Sequence, residues 1–114
     1  MKIKQRKAKD IAKEQAHGGS GSRKVFASSD FLKSKNLEAM THGWLPAGNS
    51  FDWHDHKDIE EIMLVLKGSG KVYDEDGEYD YEPGDVYIFP ASTMHKVSNT
   101  SDEEHEMIFV RVKV

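Results

Sequence analysis

An all-β chain folded as a jelly-roll barrel behind a short N-terminal arm is the fold class this sequence predicts, and three observations predict it. From Leu37 onward, short runs of β-like residues succeed one another. Turn chemistry separates them at Pro46-Ala47-Gly48, Lys67-Gly68-Ser69-Gly70, Asp74-Glu75-Asp76-Gly77, Glu82-Pro83-Gly84 and Asn99-Thr100-Ser101-Asp102. The length of 114 residues suits one such barrel, and no block of the sequence recurs within it. Short strands joined by such turns are what a jelly roll requires.

The expected division is an arm with a Gly/Ser hinge over residues 1–22 and a barrel over 23–114. In residues 2–16, Ile3, Ala8, Ile11 and Ala12 fit either a short edge strand or one weak helical turn. His17-Gly18-Gly19-Ser20-Gly21-Ser22 reads as a flexible breaker, in which His17 is either a solvated loop histidine or a cap on a pocket entrance. A short strand is expected over Arg23 to Ala27, then a helical turn capped by Ser or Asp at Ser28-Ser29-Asp30. Strands follow at 38–45, 50–56, 60–67, 70–74, 77–81, 86–89, 94–99 and 105–113.

Two spaced blocks carry the chemistry. The first, Gly48 to Gly68, reads G-x5-H-x-H-x4-E-x6-G and contains His54, His56 and Glu61. The second, Gly84 to Asn99, reads G-x5-P-x-S-x2-H-x3-N and contains His95, with fifteen residues (69–83) between the blocks. On a pleated strand, His54 and His56 point to one face. Glu61 opens the next strand and approaches from the side, and the x6-G spacing favours it over Glu60. Three imidazoles and one carboxylate suit a divalent transition metal, with Mn, Fe, Co, Ni, Cu and Zn all acceptable.

Together these blocks closely resemble the two motifs of the cupin superfamily, over about residues 37–114. The resemblance implies a single double-stranded β-helix barrel that binds one metal ion through His54, His56, Glu61 and His95. Where the family usually has Gly, this chain has Ser92, so the turn before His95 is expected to differ slightly in its backbone angles.

Alternation assigns the remaining side chains. With His54 and His56 inward, Ser50 and Asp52 share their face, and with Glu61 inward, so do Met63 and Val65. Asp52 is thus a candidate neighbour of the metal. His42 is a second candidate if Met40, His42 and Trp44 face inward, and otherwise a surface or hydrogen-bonded core histidine. Arg111 either joins Met107 and Phe109 inward, offering a cation to an anionic substrate, or faces solvent. His105, after Asp102-Glu103-Glu104, reads as exposed, and Trp53, Tyr87, Phe89 and Phe109 read as core. Ile62, Leu64 and Leu66 form a second apolar face on the Glu61 strand. That face needs cover and predicts a homodimer.

Composition narrows the partners. Residues 1–24 hold eight Lys or Arg against Asp10 and Glu14, a net of plus 6, leaving minus 10 for the remainder. The basic arm lacks aromatics before Phe26 and reads as a solvated edge segment, so no nucleic-acid or membrane partner is assigned. Zero Cys excludes disulfides and thiol nucleophiles. With no apolar run of signal-peptide or membrane-span length, the expected location is cytoplasmic.

Four protein ligands on an octahedral ion leave two positions open, enough for a bidentate small molecule. The expected function is a metal-dependent enzyme (oxygenase, isomerase or lyase) acting on a small oxygenated organic molecule. The alternative is a non-catalytic small-ligand-binding or sensor module using the same metal.

Overall fold

The computed structural model describes residues 2–114, apart from the His17 side chain, so the proposed capping role of His17 lies outside the described residues. Ten strands form two sheets: β1 (Glu14–Ala16), β2 (Gly21–Ala27), β3 (Leu37–Leu45), β4 (Ser50–His54), β5 (Ile59–Lys67), β6 (Gly70–Asp74), β7 (Gly77–Tyr81), β8 (Val86–Phe89), β9 (His95–Ser98) and β10 (His105–Lys113). One sheet has the order β1-β2-β3-β10-β5-β8 and the other β4-β9-β6-β7. Every pairing is antiparallel. This is the all-β jelly roll the turn pattern predicts, with the eight expected strands within two residues of their expected bounds.

Alternation builds the core between the sheets. On β5, Glu61, Met63 and Val65 are buried, while Glu60, Ile62 and Leu66 are exposed. Leu45, Phe51, Met63, Val65, Val72, Tyr81, Phe89, Val97, Met107 and Phe109 form one cluster, and full burial of each such side chain contributes about 1.5–3 kcal/mol. Phe89 and Phe109 are core as expected, and Tyr87 packs against the cluster.

The N-terminal segment takes both forms its sequence left open. Ala8–Asp10 is a 3-10 turn, and β1 pairs with β2 as an edge hairpin. Its cations are spent locally: Lys4 Nζ donates to the Phe31 carbonyl at 2.8 Å, Lys24 Nζ donates to the Ala8 carbonyl at 2.7 Å, and Lys13 sits over the Trp44 ring. Ser28 caps the Ser29–Phe31 turn as expected, its Oγ accepting from Asp30 N.

Three expectations fail, two of them because a strand's register shifts. Between Phe51 and His54, β4 has one more residue than its partner β9, so Phe51 and His54 both face inward while Asp52 and Trp53 turn out. Asp52 is therefore exposed, its carboxylate accepting from Trp53 N, and Trp53 is 44% exposed instead of core. Of the two readings open to His42, the structure takes the second, and it faces away from the barrel interior. It lies on the face of β3 opposite the buried Ala39, Thr41, Gly43 and Leu45, stacks on Trp44 at 4.1 Å and bonds the Glu106 carboxylate at 2.9 Å.

His105, expected at the surface, is 1% exposed. Its ring lies between the Tyr81 hydroxyl at 2.6 Å and Ser101 Oγ at 3.0 Å. A Cβ on Gly68, whose φ is 97°, would stand 2.0 Å from the His105 ring, which explains the glycine that closes the first block. Burial lowers the His105 pKa below the ordinary 6.5, helped by Lys67 and opposed by Glu103. The unfolded chain therefore binds this proton more readily than the native chain. Stability from this group is present above about pH 6.5 and is lost as pH falls below it. His105→Asn is expected to flatten the decline in urea midpoint between pH 7 and pH 5 relative to the parent chain.

Candidate metal centre

His54 ends β4, His95 opens β9 directly opposite it in the ladder, and Glu61 comes from β5 in the facing sheet. The jelly roll thus brings one ligand atom from each of the three within 4.8 Å of the others. Local bonds orient the rings. His54 Nδ1 is 2.6 Å from the Asp52 carbonyl and His95 Nδ1 is 2.8 Å from the Thr93 carbonyl, so both Nδ1 atoms are donors and Nε2 is the nitrogen of each ring able to ligate a metal. His95 also stacks flat on Phe89 at 4.0 Å.

These atoms fit a divalent ion. His95 Nε2 is buried and has no hydrogen-bond partner among the described residues, with Glu61 Oε1 at 3.7 Å, beyond hydrogen-bond range. A buried polar atom in that condition costs about 1–3 kcal/mol, which a metal would recover. The protonation states also fit. Burial, reinforced by His95 and Arg111 against the Asp52 carbonyl and Glu61, lowers the His54 pKa and keeps its ring neutral at pH 7. For Glu61, burial would raise the pKa, but His95 and Arg111 outweigh it and hold the carboxyl below its usual range.

His56 stands beside this cluster. It lies past the end of β4, its ring centroid 5.1 Å from that of His54 and 6.2 Å from that of His95. Its Nε2 accepts from Arg111 Nη1 at 3.1 Å. Arg111 itself points inward: Nη1 donates to Glu61 Oε2 at 2.9 Å and Nε to Glu38 Oε2 at 2.6 Å. Of the two orientations open to Arg111 in sequence, the structure selects the inward one. Glu38 was not legible as a site residue, because β3 has an extra residue there against β10, and this bulge, seen only in the pairing, accompanies its contact with Arg111.

Ser92 has φ 63°, so the turn before His95 adopts the left-handed angle that glycine favours. Its N–H donates to the His56 carbonyl at 2.9 Å, tying together the two loops that carry the histidines. An L side chain at such an angle costs about 1 kcal/mol. Ser92→Gly is therefore expected to raise stability by about 0.5 kcal/mol in urea denaturation, part of the gain being offset by the greater freedom of glycine in the unfolded chain.

A cavity of about 250 Å³ shares Glu61 with the centre and is lined also by Arg111, Phe109, Thr41 and Gly43 and by residues of the β1–β2 hairpin. A family model described as the cupin domain matches residues 43–111. The chain belongs to the cupin family. Among curated proteins, this cupin is 30% identical over 86% of its length to a probable oxalate decarboxylase of Arthroderma benhamiae, of which it covers 25%. It is 32% identical over 85% of its length to the auxin-binding protein T85 of Nicotiana tabacum, covering 57% of that protein. The chain thus spans between a quarter and somewhat over half of these relatives. Among solved structures, a predicted oxalate decarboxylase from Thermotoga maritima superposes with a TM-score of 0.85 at 21% identity, over 95% of this chain and 97% of that one, a likeness of fold. No helix among the described residues is long and apolar enough to cross a membrane.

Proposed function

We propose that this cupin is a metal-dependent enzyme acting on a small oxygenated organic molecule at the centre formed by His54, Glu61 and His95. The supporting observation is the gathering of their three ligand atoms beside an arginine-lined cavity. A divalent ion held there would supply Lewis-acid or oxygen-activating chemistry. His54 and His95 present lone pairs fixed by backbone carbonyls, and Glu61 supplies the negative charge. The motif adds His56 as a fourth ligand. Arg111 orients Glu61 through Oε2 and places a cation at the cavity wall, suited to an anionic group on the bound molecule.

Reaction class follows from reconstitution. Apo protein is supplied with Fe(II), Mn(II), Ni(II), Co(II), Cu(II) or Zn(II) and screened against hydroxy acids, diketones, phenols and sugar acids, with oxygen uptake recorded. Turnover that consumes oxygen and needs a redox-active ion selects an oxygenase, and turnover with Zn(II) and no oxygen selects an isomerase or lyase. Binding at the metal with no turnover by any ion refutes the enzyme reading in favour of a small-ligand-binding module, a reading supported by the similarity to an auxin-binding protein.

We further propose a homodimer. On the outer face of the β5–β8 pair, Ile62 lies opposite Ile88 and Leu64 opposite Val86, with Val86 57% and Ile88 66% exposed at the sheet edge. Pairing of two copies there would cover the apolar face and the free edge together. Light scattering is expected to give twice the chain mass, and Ile88→Lys is expected to return it to one.

A further inference from the structure

The cavity has a second cationic end that the metal centre does not use. Ala39, Thr41 and Gly43, successive inward positions on β3, carry small side chains, and the last two line the cavity. A Cβ on Gly43 would stand 2.9 Å from the Phe109 ring, so glycine there lets that ring pack against β3. Strands β2 and β10 flank β3. Arg23 on β2 is the ladder partner of Gly43, and Arg111 on β10 is the partner of Ala39. Directly opposed residues share a face, so both arginines stand on the cavity side of the sheet, and both line the cavity. Their positions are four residues apart along β3, about 13 Å of strand.

Both forks retain donors. Nε of Arg111 is spent on Glu38 and Nη1 on Glu61 and His56, which leaves Nη2 among the described contacts. Arg23 is tied through Nε to Glu14 at 2.9 Å, at the exposed mouth, which leaves both of its terminal nitrogens. Gln15 and Ser22 add polar groups beside it. One end of the cavity is lined by Glu61 and Arg111 and the other by Arg23, so an ion held by Glu61 would stand beside the first end.

We propose that Arg23 and Arg111 clamp the two ends of a short dianion, a dicarboxylate of about four to six carbons. One carboxylate reaches the metal and Arg111 end, and the other reaches Arg23. The N-terminal hairpin is then the specificity wall of the site, and Glu14 restrains Arg23 when no ligand is bound. This inference rests on the metal-centre reading above.

The test is calorimetric titration of Mn(II)-loaded protein, its metal content measured first, with dicarboxylates of two to six carbons and monocarboxylates of matched length. Four- to six-carbon dicarboxylates are expected to bind at least tenfold more tightly than the matched monocarboxylates. Arg23→Ala is expected to abolish that preference while changing monocarboxylate affinity less than twofold and leaving metal content unchanged. Glu14→Gln, which releases Arg23, is expected to tighten dicarboxylate binding severalfold. Equal weakening of both ligand classes by Arg23→Ala, no effect of that substitution, or no dicarboxylate binding by metal-loaded protein each overturns the clamp alone. Protein that takes up no metal overturns the metal-centre reading and the clamp with it.

Discussion

His95→Ala is expected to lower affinity for a divalent metal by more than roughly 100-fold, beyond the 10–100-fold that loss of an outer hydrogen-bonding partner typically costs. The ring it removes is firmly held: buried, stacked on Phe89 and bonded to the Thr93 carbonyl, with its Nε2 facing Glu61. Elemental analysis after dialysis against a competing chelator reads the loss, and full metal retention would remove His95 from the ligand set. His56→Ala gives the informative comparison. A loss equal to that of His95→Ala assigns His56 the fourth ligand position that the motif implies, whereas a loss of tenfold or less assigns it to Arg111, whose Nη1 it accepts from.

Arg111→Ala is expected to destabilise the metal-free protein by about 3 kcal/mol, because it strands a buried carboxylate. Glu61 is 5% exposed and Arg111 is the cation bonded to it, while Glu38 loses the same partner. Without the guanidinium, burial of Glu61 is less opposed, and its pKa should move back upward. The apparent melting temperature should fall by about 10 °C. Saturating Zn(II) should narrow the difference, because an ion bound to the native state stabilises it and restores the missing positive charge. Arg111→Lys should recover less than half of the loss, since an ammonium cannot present the planar fork that reaches Glu38, Glu61 and His56 at once. A urea-derived stability for Arg111→Ala within 0.5 kcal/mol of the parent would show that Glu61 does not depend on this pair.

Strand positions and the candidate site residues were legible in the sequence because their determinants are local. Turn residues set where strands stop, the two-residue period assigns Glu61, Met63 and Val65 to one face, and the spacing of the two blocks names His54, His56, Glu61 and His95, of which the fold gathers His54, Glu61 and His95. Tertiary structure alone decided the rest, because a side chain's face and burial depend on the register and the contacts of strands distant in sequence, and one extra residue reverses a face. The bulge on β4 turned Asp52 and Trp53 outward, and the bulge on β3 accompanies the contact of Glu38 with Arg111. His105 follows a run of acids that reads as exposed, yet a glycine 37 positions earlier in the chain leaves room for its ring beside Tyr81. Arg111 lay open between two orientations in sequence, and the carboxylates of Glu38 and Glu61, brought to it by strands on either side of β10, hold it inward.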